Sequence, residues 1–345
     1  MKRWSPDRWA EIKALFHDLT QLPDAERAAA LAERTVGDEE AREALARMLA
    51  NATSNHLQLD RGAAELLPSL RREVPPEVLP AIGSRVGEFE IVREVGRGGM
   101  GVVFEAKRVE GAGVPRVAIK VLPPTRAETV FAQRFLSEQR LLQQLDHPGI
   151  ARFVDSGWTL NKRPWFAMEF VDGMALDTWC THQGASPRER ARLVRETCFA
   201  VQHAHDRLVL HRDIKPSNIL VTAAGRCVLV DFGIARTLAD DTPGTLTRAG
   251  FRPMSLSYAS PEHLAGRPLT PASDVFSLGA VLYLLLAGAP PTSRLVPPSA
   301  ATHATDAAAV APFDACVLRA LAHTASARFD SADALARALT DVLGE

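Results

Sequence analysis

The sequence predicts an α+β fold in which a small β-rich lobe precedes a larger helical lobe, with a small all-α module ahead of both. Three observations carry this. Residues 89 to 122 alternate apolar and polar side chains and are rich in β-branched residues, as in FEIVREVG, GVVFEAKRV and RVAIKVL, which reads as successive strands around tight turns. From about Thr178 onward the period becomes helical. Before residue 70, Trp9, Ile12, Leu15, Phe16 and Leu19 recur at the spacing of one helical face.

Taken in order, residues 1–71 read as short helices. Ser5 before Pro6, Asp24 after Pro23 and Asp38 after Gly37 each mark a helix start. Residues 72–88 begin with REVPPEVLPAIGS, where prolines and a glycine interrupt any period, as in a linker. The β-rich lobe follows from Phe89. FAQRFLSEQRLLQQL then reads as helix, RPWFAMEFV as a return to strand, and the remainder to residue 342 as mainly helical. The run VFSLGAVLYLLLAGA, starting at Val275, is shorter than the roughly 20 residues a membrane-spanning helix needs and reads as a buried core helix.

Composition excludes several classes of function. With 46% hydrophobic and 23% charged residues the chain is globular rather than disordered. Its 40 Lys and Arg against 41 Asp and Glu remove the positive field of a dedicated nucleic-acid or membrane-surface binder. Cys180, Cys198, Cys227 and Cys316 are scattered without metal-ligand spacing, which fits a reducing compartment. The charged start MKRWSPDRWAEIK lacks the apolar stretch of a secretory leader, so the expected location is the cytoplasm, with no membrane span and no nucleic-acid partner.

Four constellations carry chemistry. GRGGMGVV, from Gly96 to Val103, lies between two expected strands, where glycines let backbone amides approach phosphate oxygens. A dinucleotide-binding turn would need a helix to follow, and a plain glycine-rich hairpin is the bland alternative. Lys120 in VAIK sits centrally in an apolar strand, so its ammonium needs a counter-charge, phosphate or carboxylate. Glu138 on the next expected helix could supply the carboxylate, although Gln139 beside it leaves the helix face open. In HRDIKPSN, Asp213 is placed to receive or orient the proton of an attacking hydroxyl, Lys215 to offset charge on a moving phosphoryl group and Asn218 to ligate a metal. In DFG, Asp231 offers the hard oxygen that Mg²⁺ prefers.

In this order and together, these motifs resemble the eukaryotic-type (Hanks-type) protein kinase family, and the likeness spans residues 89–342. SPE at Ser260 to Glu262 and Asp274 in SDVFSLG belong to the same set, which is similar to bacterial serine/threonine kinases. The resemblance implies a two-lobed fold that binds ATP with Mg²⁺, or Mn²⁺ in its place. It implies phosphate contacts from Val95, Gly96, Gly98, Gly99, Gly101 and Lys120, and adenine packed between Val103, Ala118 and Leu220. Met168 would be the gatekeeper, and backbone groups of Glu169 and Val171 would bond the adenine edge. Lys120 and Glu138 would pair, and Lys215 implies serine or threonine hydroxyls of protein substrates.

His211 and Phe232 would belong to the internal spine, Asp274 would hold the catalytic-loop backbone, and Arg328 would pair with Glu262. Ser260 in place of alanine, Met254 in place of glycine and Ser255 in place of threonine depart from the family's usual pattern. TPGTLTR between Asp231 and Glu262 offers Thr242, Thr245 and Thr247 for activating phosphorylation, with Arg212 and Arg236 to receive the phosphate. Residues 1–71 would regulate or dock a partner. The competing reading is an ATP-binding pseudokinase scaffold, which would be expected to have lost at least one of Lys120, Glu138, Asp213, Asn218 or Asp231. All five are present.

Overall fold

The computed structural model describes residues 11–12, 15, 18–19, 22, 24–39, 41–43, 45–46, 49, 79–98, 101–109, 116–122, 139–232, 257–292, 295–302 and 306–345. Among them Ile12, Leu19, Leu31, Leu45 and Leu49 are buried, as one apolar helical face requires. Helix α1 spans Asp24–Arg34. Gly37 then takes a left-handed φ of 81°, and the Asp38 carboxylate accepts the Ala41 amide at 3.1 Å, capping the next helical turn. Trp9 and Phe16 lie outside the described residues.

The chain divides into two compact units. The first holds a six-stranded sheet of order β1-β2-β3-β4-β6-β5. Its strands are β1 Arg85–Val86, β2 Phe89–Gly98, β3 Gly101–Arg108, β4 Val117–Val121, β5 Phe153–Trp158 and β6 Pro164–Glu169. One face carries the core: Phe89, Ile91, Val102, Phe104, Val117, Ile119, Val121 and Trp165 pack together there. The antiparallel register sets Val103 opposite Lys120 and Glu105 opposite Ala118, so these four alternate with the core residues and share the other face. Residues 85–86 sit inside the stretch read from sequence as linker, yet Val86 is buried in this core and pairs with Phe89, because Gly87 at φ 57° turns the chain back on itself.

The second unit holds a small sheet, β7 Gly173–Ala175, β8 Ile219–Thr222 and β9 Cys227–Leu229. Its helices are α2 Leu176–His182, α3 Pro187–His205, α4 Pro261–Leu264, α5 Pro271–Ala287, α6 Asp314–Ala320 and α7 Ala332–Leu343. Helix α3 starts at a capping box in which the Ser186 hydroxyl accepts the Glu189 amide and the Glu189 carboxylate accepts the Ser186 amide. It packs against α5 and α7. Val275, Leu278, Val281, Leu282 and Leu285 of α5 are all buried, and the helix ends at Gly288 in the left-handed conformation. The apolar run is therefore a core helix. Among the described residues no helix is long and apolar enough to cross a membrane. Gly279 lets α5 approach α6 closely, since a Cβ there would stand 2.6 Å from the Ala320 Cβ. Among its described residues, the proline- and alanine-rich stretch after Ala289 forms single turns at Pro298–Ala301 and Ala307–Val310.

Candidate active site

A buried polar cluster lies between α3 and β8. The loop from His211 to Asn218 is pinned from beneath by Asp274, on the first turn of α5 and 2% exposed. Its Oδ2 accepts the His211 amide at 2.8 Å and its Oδ1 the Arg212 amide at 2.9 Å. Oδ2 also lies 2.8 Å from His205 Nε2. Burial alone would raise the pKa of Asp274, but the hydrogen bond and charge of His205 together with the His211 contacts bring it below the ordinary carboxylate value. Arg212 occupies a left-handed φ of 63°, an uncommon conformation for a residue with a Cβ, and its bonded amide holds it there.

Asp213, 6% exposed, is oriented by its neighbours. Lys215 Nζ donates to its Oδ2 at 2.6 Å, and Asn218 Nδ2 donates both to Oδ2 at 3.1 Å and to the Asp213 carbonyl at 2.8 Å. With the amide nitrogen of Asn218 so committed, its Oδ1 is the end left to meet a cation, and a hard oxygen is what Mg²⁺ takes. The Asn218 carbonyl accepts the Val230 amide at 2.9 Å, which places Asp231 next in the chain. Asp231 also takes a left-handed φ, 62°. His211 Nε2 donates to the Val230 carbonyl at 3.2 Å, and its ring stands 4.6 Å from that of Phe232. Burial keeps this imidazole below its ordinary pKa despite Asp274, Asp213 and Asp231 around it, so it is a neutral donor. Asn218 and the carboxylate of Asp231 are thus a donor set that fits a Mg²⁺ ion.

Glu262 on α4 makes a bidentate pair with Arg328, at 2.7 and 2.8 Å. The Ser273 hydroxyl adds a bond of 2.7 Å to the same carboxylate. Burial works against the charge, yet these bonds hold Glu262 down at about 2.

The remaining candidates group by unit. In the first, Lys120 is 5% exposed and shares its sheet face with Val103 and Ala118. Val95 is exposed near the end of β2, Gly96 and then Gly98, which is counted with the second unit, continue that strand, and Gly101 opens β3. At Gly101 a Cβ would fall 2.2 Å from the Val121 carbonyl oxygen, and φ is 122°, so this turn accepts only glycine. In the second, Met168 is buried, and the Glu169 amide is spent on the Arg152 carbonyl at 2.8 Å. What Glu169 has to offer an adenine edge is therefore its carbonyl. Val171 follows in the connection to β7. Leu220 pairs with Ala175 on one side and Val228 on the other, at the centre of the small sheet. Glu138, Gly99, Gly233, Arg236, Thr242, Thr245, Thr247, Met254 and Ser255 lie outside the described residues.

Sequence reasoning missed His205 and Ser273. Each touches a site carboxylate, but each is joined to it only by the tertiary fold, and HAHD at the end of a helical pattern gives no sign of a partner 69 residues away.

Comparison with known proteins agrees with this geometry. Residues 89–330 match the protein kinase domain family. Serine/threonine-protein kinase PknD of Mycobacterium tuberculosis is 35% identical over 284 residues, 77% of this chain and 41% of that protein. PrkC of Bacillus subtilis is 37% identical over 210 residues, 60% of this chain and 32% of that protein. The chain thus spans less than half the length of these curated relatives. The crystal structure of the Mycobacterium tuberculosis PknI kinase domain superposes with a TM-score of 0.61 at 29% identity, covering 77% of this chain and all of that one. On this agreement of sequence and fold, the chain belongs to the protein kinase family.

Proposed function

We propose that the chain is a serine/threonine protein kinase that moves the γ-phosphoryl group of ATP to protein hydroxyls. The observation that carries this is the hydrogen-bonded set Asp213, Lys215 and Asn218, joined through Val230 to Asp231. The substrate hydroxyl gives its proton to Asp213 as its oxygen bonds to the γ-phosphorus and the bond to the leaving ADP oxygen breaks. Lys215 offsets charge on the transferring group, and Lys120 holds phosphate oxygens in place. A Mg²⁺ ion, which Asn218 and Asp231 would hold, would supply charge neutralisation at the phosphates. A preference for Ser and Thr rests on Lys215 and on the names of the relatives. The scaffold alternative has no support, since it would be expected to have lost at least one of Lys120, Glu138, Asp213, Asn218 or Asp231, and the sequence holds all five.

Three finer readings belong to the same proposal. Thr245 and Thr247 are the favoured activating phosphosites. Residues 1–71 dock a partner or regulate. The location is cytoplasmic, which the four buried free thiols Cys180, Cys198, Cys227 and Cys316 support, and recovery only in a detergent-requiring fraction would oppose it.

One experiment addresses the rest: incubation with labelled ATP, Mg²⁺ and a generic protein substrate, followed by phosphosite mapping. Asp213→Asn and Asp231→Asn should each lower transfer by about a hundredfold or more while folding normally. Wild-type rates from either overturn the proposal, and a fully active enzyme with an unmodified Thr245 and Thr247 removes the phosphosite reading. A chain beginning near Ile82 should still transfer phosphate. If it binds ATP without transferring, the first 71 residues belong to the catalytic machinery instead.

A further inference from the structure

A pair of histidines away from the catalytic loop is held in an unusual state. His147 lies on the loop before β5 and His203 near the end of α3, with ring centroids 5.0 Å apart and planes inclined by 46°. His147 Nδ1 accepts the Gly149 amide at 3.0 Å. His203 Nδ1 faces Arg207 Nη1 at 3.3 Å, and a guanidinium can only donate, so that nitrogen is also an acceptor. Each ring therefore carries its proton on Nε2. A second proton could enter only at an Nδ1 already taken by a donor. His203 Nε2 is itself buried without a hydrogen-bond partner among the described residues, so a charged ring there would be poorly solvated.

The loop these rings secure is a backbone relay to the metal-ligand strand. The Gly149 carbonyl accepts the Leu229 amide at 2.8 Å, and the Leu229 carbonyl accepts the Ala151 amide at 2.9 Å. Leu229 is two residues from Asp231. Gly149 is also pressed against α3, since a Cβ there would lie 3.2 Å from both the Ala200 Cβ and His147 Cε1.

We propose that His147 and His203 form an acid-sensitive clamp: while both are neutral they fasten residues 147–151 to β9, and protonation of the pair releases that loop and with it the backbone support of Asp231. The charged groups facing the pair are Arg207 and Asp206 at the end of α3 and Asp146 on the loop. Burial and the Arg207 charge lower both imidazoles, His203 to about 4, and outweigh the two carboxylates. The sign follows directly. A base whose pKa is lowered in the closed state favours closure above its open-state value of 6.5 and loses that advantage as pH falls towards about 4. For His203 alone, the open population of the loop should rise about twentyfold between pH 7 and pH 5.

The consequence for phosphotransfer rests on the proposed kinase activity; the clamp itself does not, so its test reads the backbone. Hydrogen–deuterium exchange of the full chain, corrected for the intrinsic pH dependence, should show segments 147–151 and 227–231 losing protection by about that factor from pH 7 to pH 5. His203→Phe keeps an aromatic ring beside His147 and removes the titration, and it should cut the change to a few-fold or less. Unchanged protection in the wild type, or a His203→Phe protein that opens by the same factor, overturns the proposal. Should His203→Phe fail to fold, NMR titration of the wild-type imidazoles decides, since a His203 pKa at or above its ordinary value excludes the clamp. Acid opening in a protein inactive at every pH would leave the clamp standing and remove the kinase reading.

Discussion

Replacing Arg328 tests whether the pair with Glu262 is a structural bolt of the second unit. All five guanidinium N–H groups are engaged. Nε donates to the Ala322 carbonyl at 2.8 Å, Nη1 to Glu262 at 2.7 Å and to the Ala272 carbonyl at 2.8 Å, and Nη2 to Glu262 at 2.8 Å and to the His323 carbonyl at 3.0 Å. Lysine has three donors and no fork, so Arg328→Lys forfeits at least two of these bonds. With roughly 0.5–1.5 kcal/mol for a neutral bond and about 1.5–3 for one to a charge, the loss is about 2–4 kcal/mol. Arg328→Met goes further and strands the Glu262 carboxylate, for which about 3–5 kcal/mol is usual. At about 2–4 °C per kcal/mol for a unit of this size, Arg328→Lys should lower Tm by about 4–16 °C and Arg328→Met by about 6–20 °C.

The titration of Glu262 provides an independent check. Its pKa is lowered from an ordinary 4.5 to about 2, so the pair's contribution is fully present above pH 4.5 and is lost as pH falls through about 2. The shift corresponds to at most about 3 kcal/mol, and wetting of the carboxylate's rim reduces this to about 2. Thermal melts followed by circular dichroism at about pH 7.5, and again at several steps down to about pH 2.5, measure both quantities. The gap between wild type and Arg328→Met should narrow with acid. A variant melting within about 2 °C of wild type near neutrality, or a gap that stays constant with pH, would refute the reasoning.

Two further substitutions probe other fixed points. Gly101→Ala should cost about 2–4 kcal/mol, since the new Cβ meets the Val121 carbonyl at 2.2 Å and the φ of 122° is strained for alanine; a melting curve checks this, and an unshifted midpoint counts against it. Asp274→Asn replaces an acceptor oxygen with an NH2 donor facing other donors and leaves one of the His211 or Arg212 amides unmet, so it should destabilise by about 2 kcal/mol and lower the phosphotransfer rate with little change in KM for ATP. A steady-state assay with the melt separates these effects, and a change confined to KM would contradict the assignment.

The sequence was most informative where chemistry is local. The alternation of FEIVREVG and GVVFEAKRV became β2 and β3, with Phe89, Ile91, Val102 and Phe104 facing one core. Less legible were elements whose reason lies elsewhere in the chain. Strand β5, FVDSGW, lacks a clean alternation; its Gly157 is required because a Cβ there would lie 2.9 Å from the Trp165 ring. The short strand β8 fell within a stretch read as mainly helical, since four residues are too few to show a period. At the site, HRDIKPSN and DFG named Asp213, Lys215, Asn218 and Asp231, but not the support from His205, nor the His147–His203 contact. Those contacts join segments dozens of residues apart, and no short-range pattern encodes them.

Two of the four described non-glycine residues with positive φ, Arg212 and Asp231, lie in the polar cluster of the candidate site, one on each side of Asn218 in the chain. Each such conformation costs on the order of 1–3 kcal/mol, so it persists only where surrounding bonds over-determine it. At Arg212 the amide is fixed by Asp274 Oδ1. Ahead of Asp231, both polar groups of Val230 are taken, the amide by the Asn218 carbonyl and the carbonyl by His211 Nε2. His211 belongs to both ends of this arrangement, because its own amide is bound to Asp274 while its ring reaches Val230. A neutral imidazole with its proton on Nε2 is therefore the form that can link the loop from His211 to Asn218 to the backbone just ahead of Asp231, and its burial keeps it in that form. The strained backbone at both positions is thus held by the same buried histidine and aspartate, which explains how Asp213 and Asp231 keep fixed orientations although neither lies in a helix or strand.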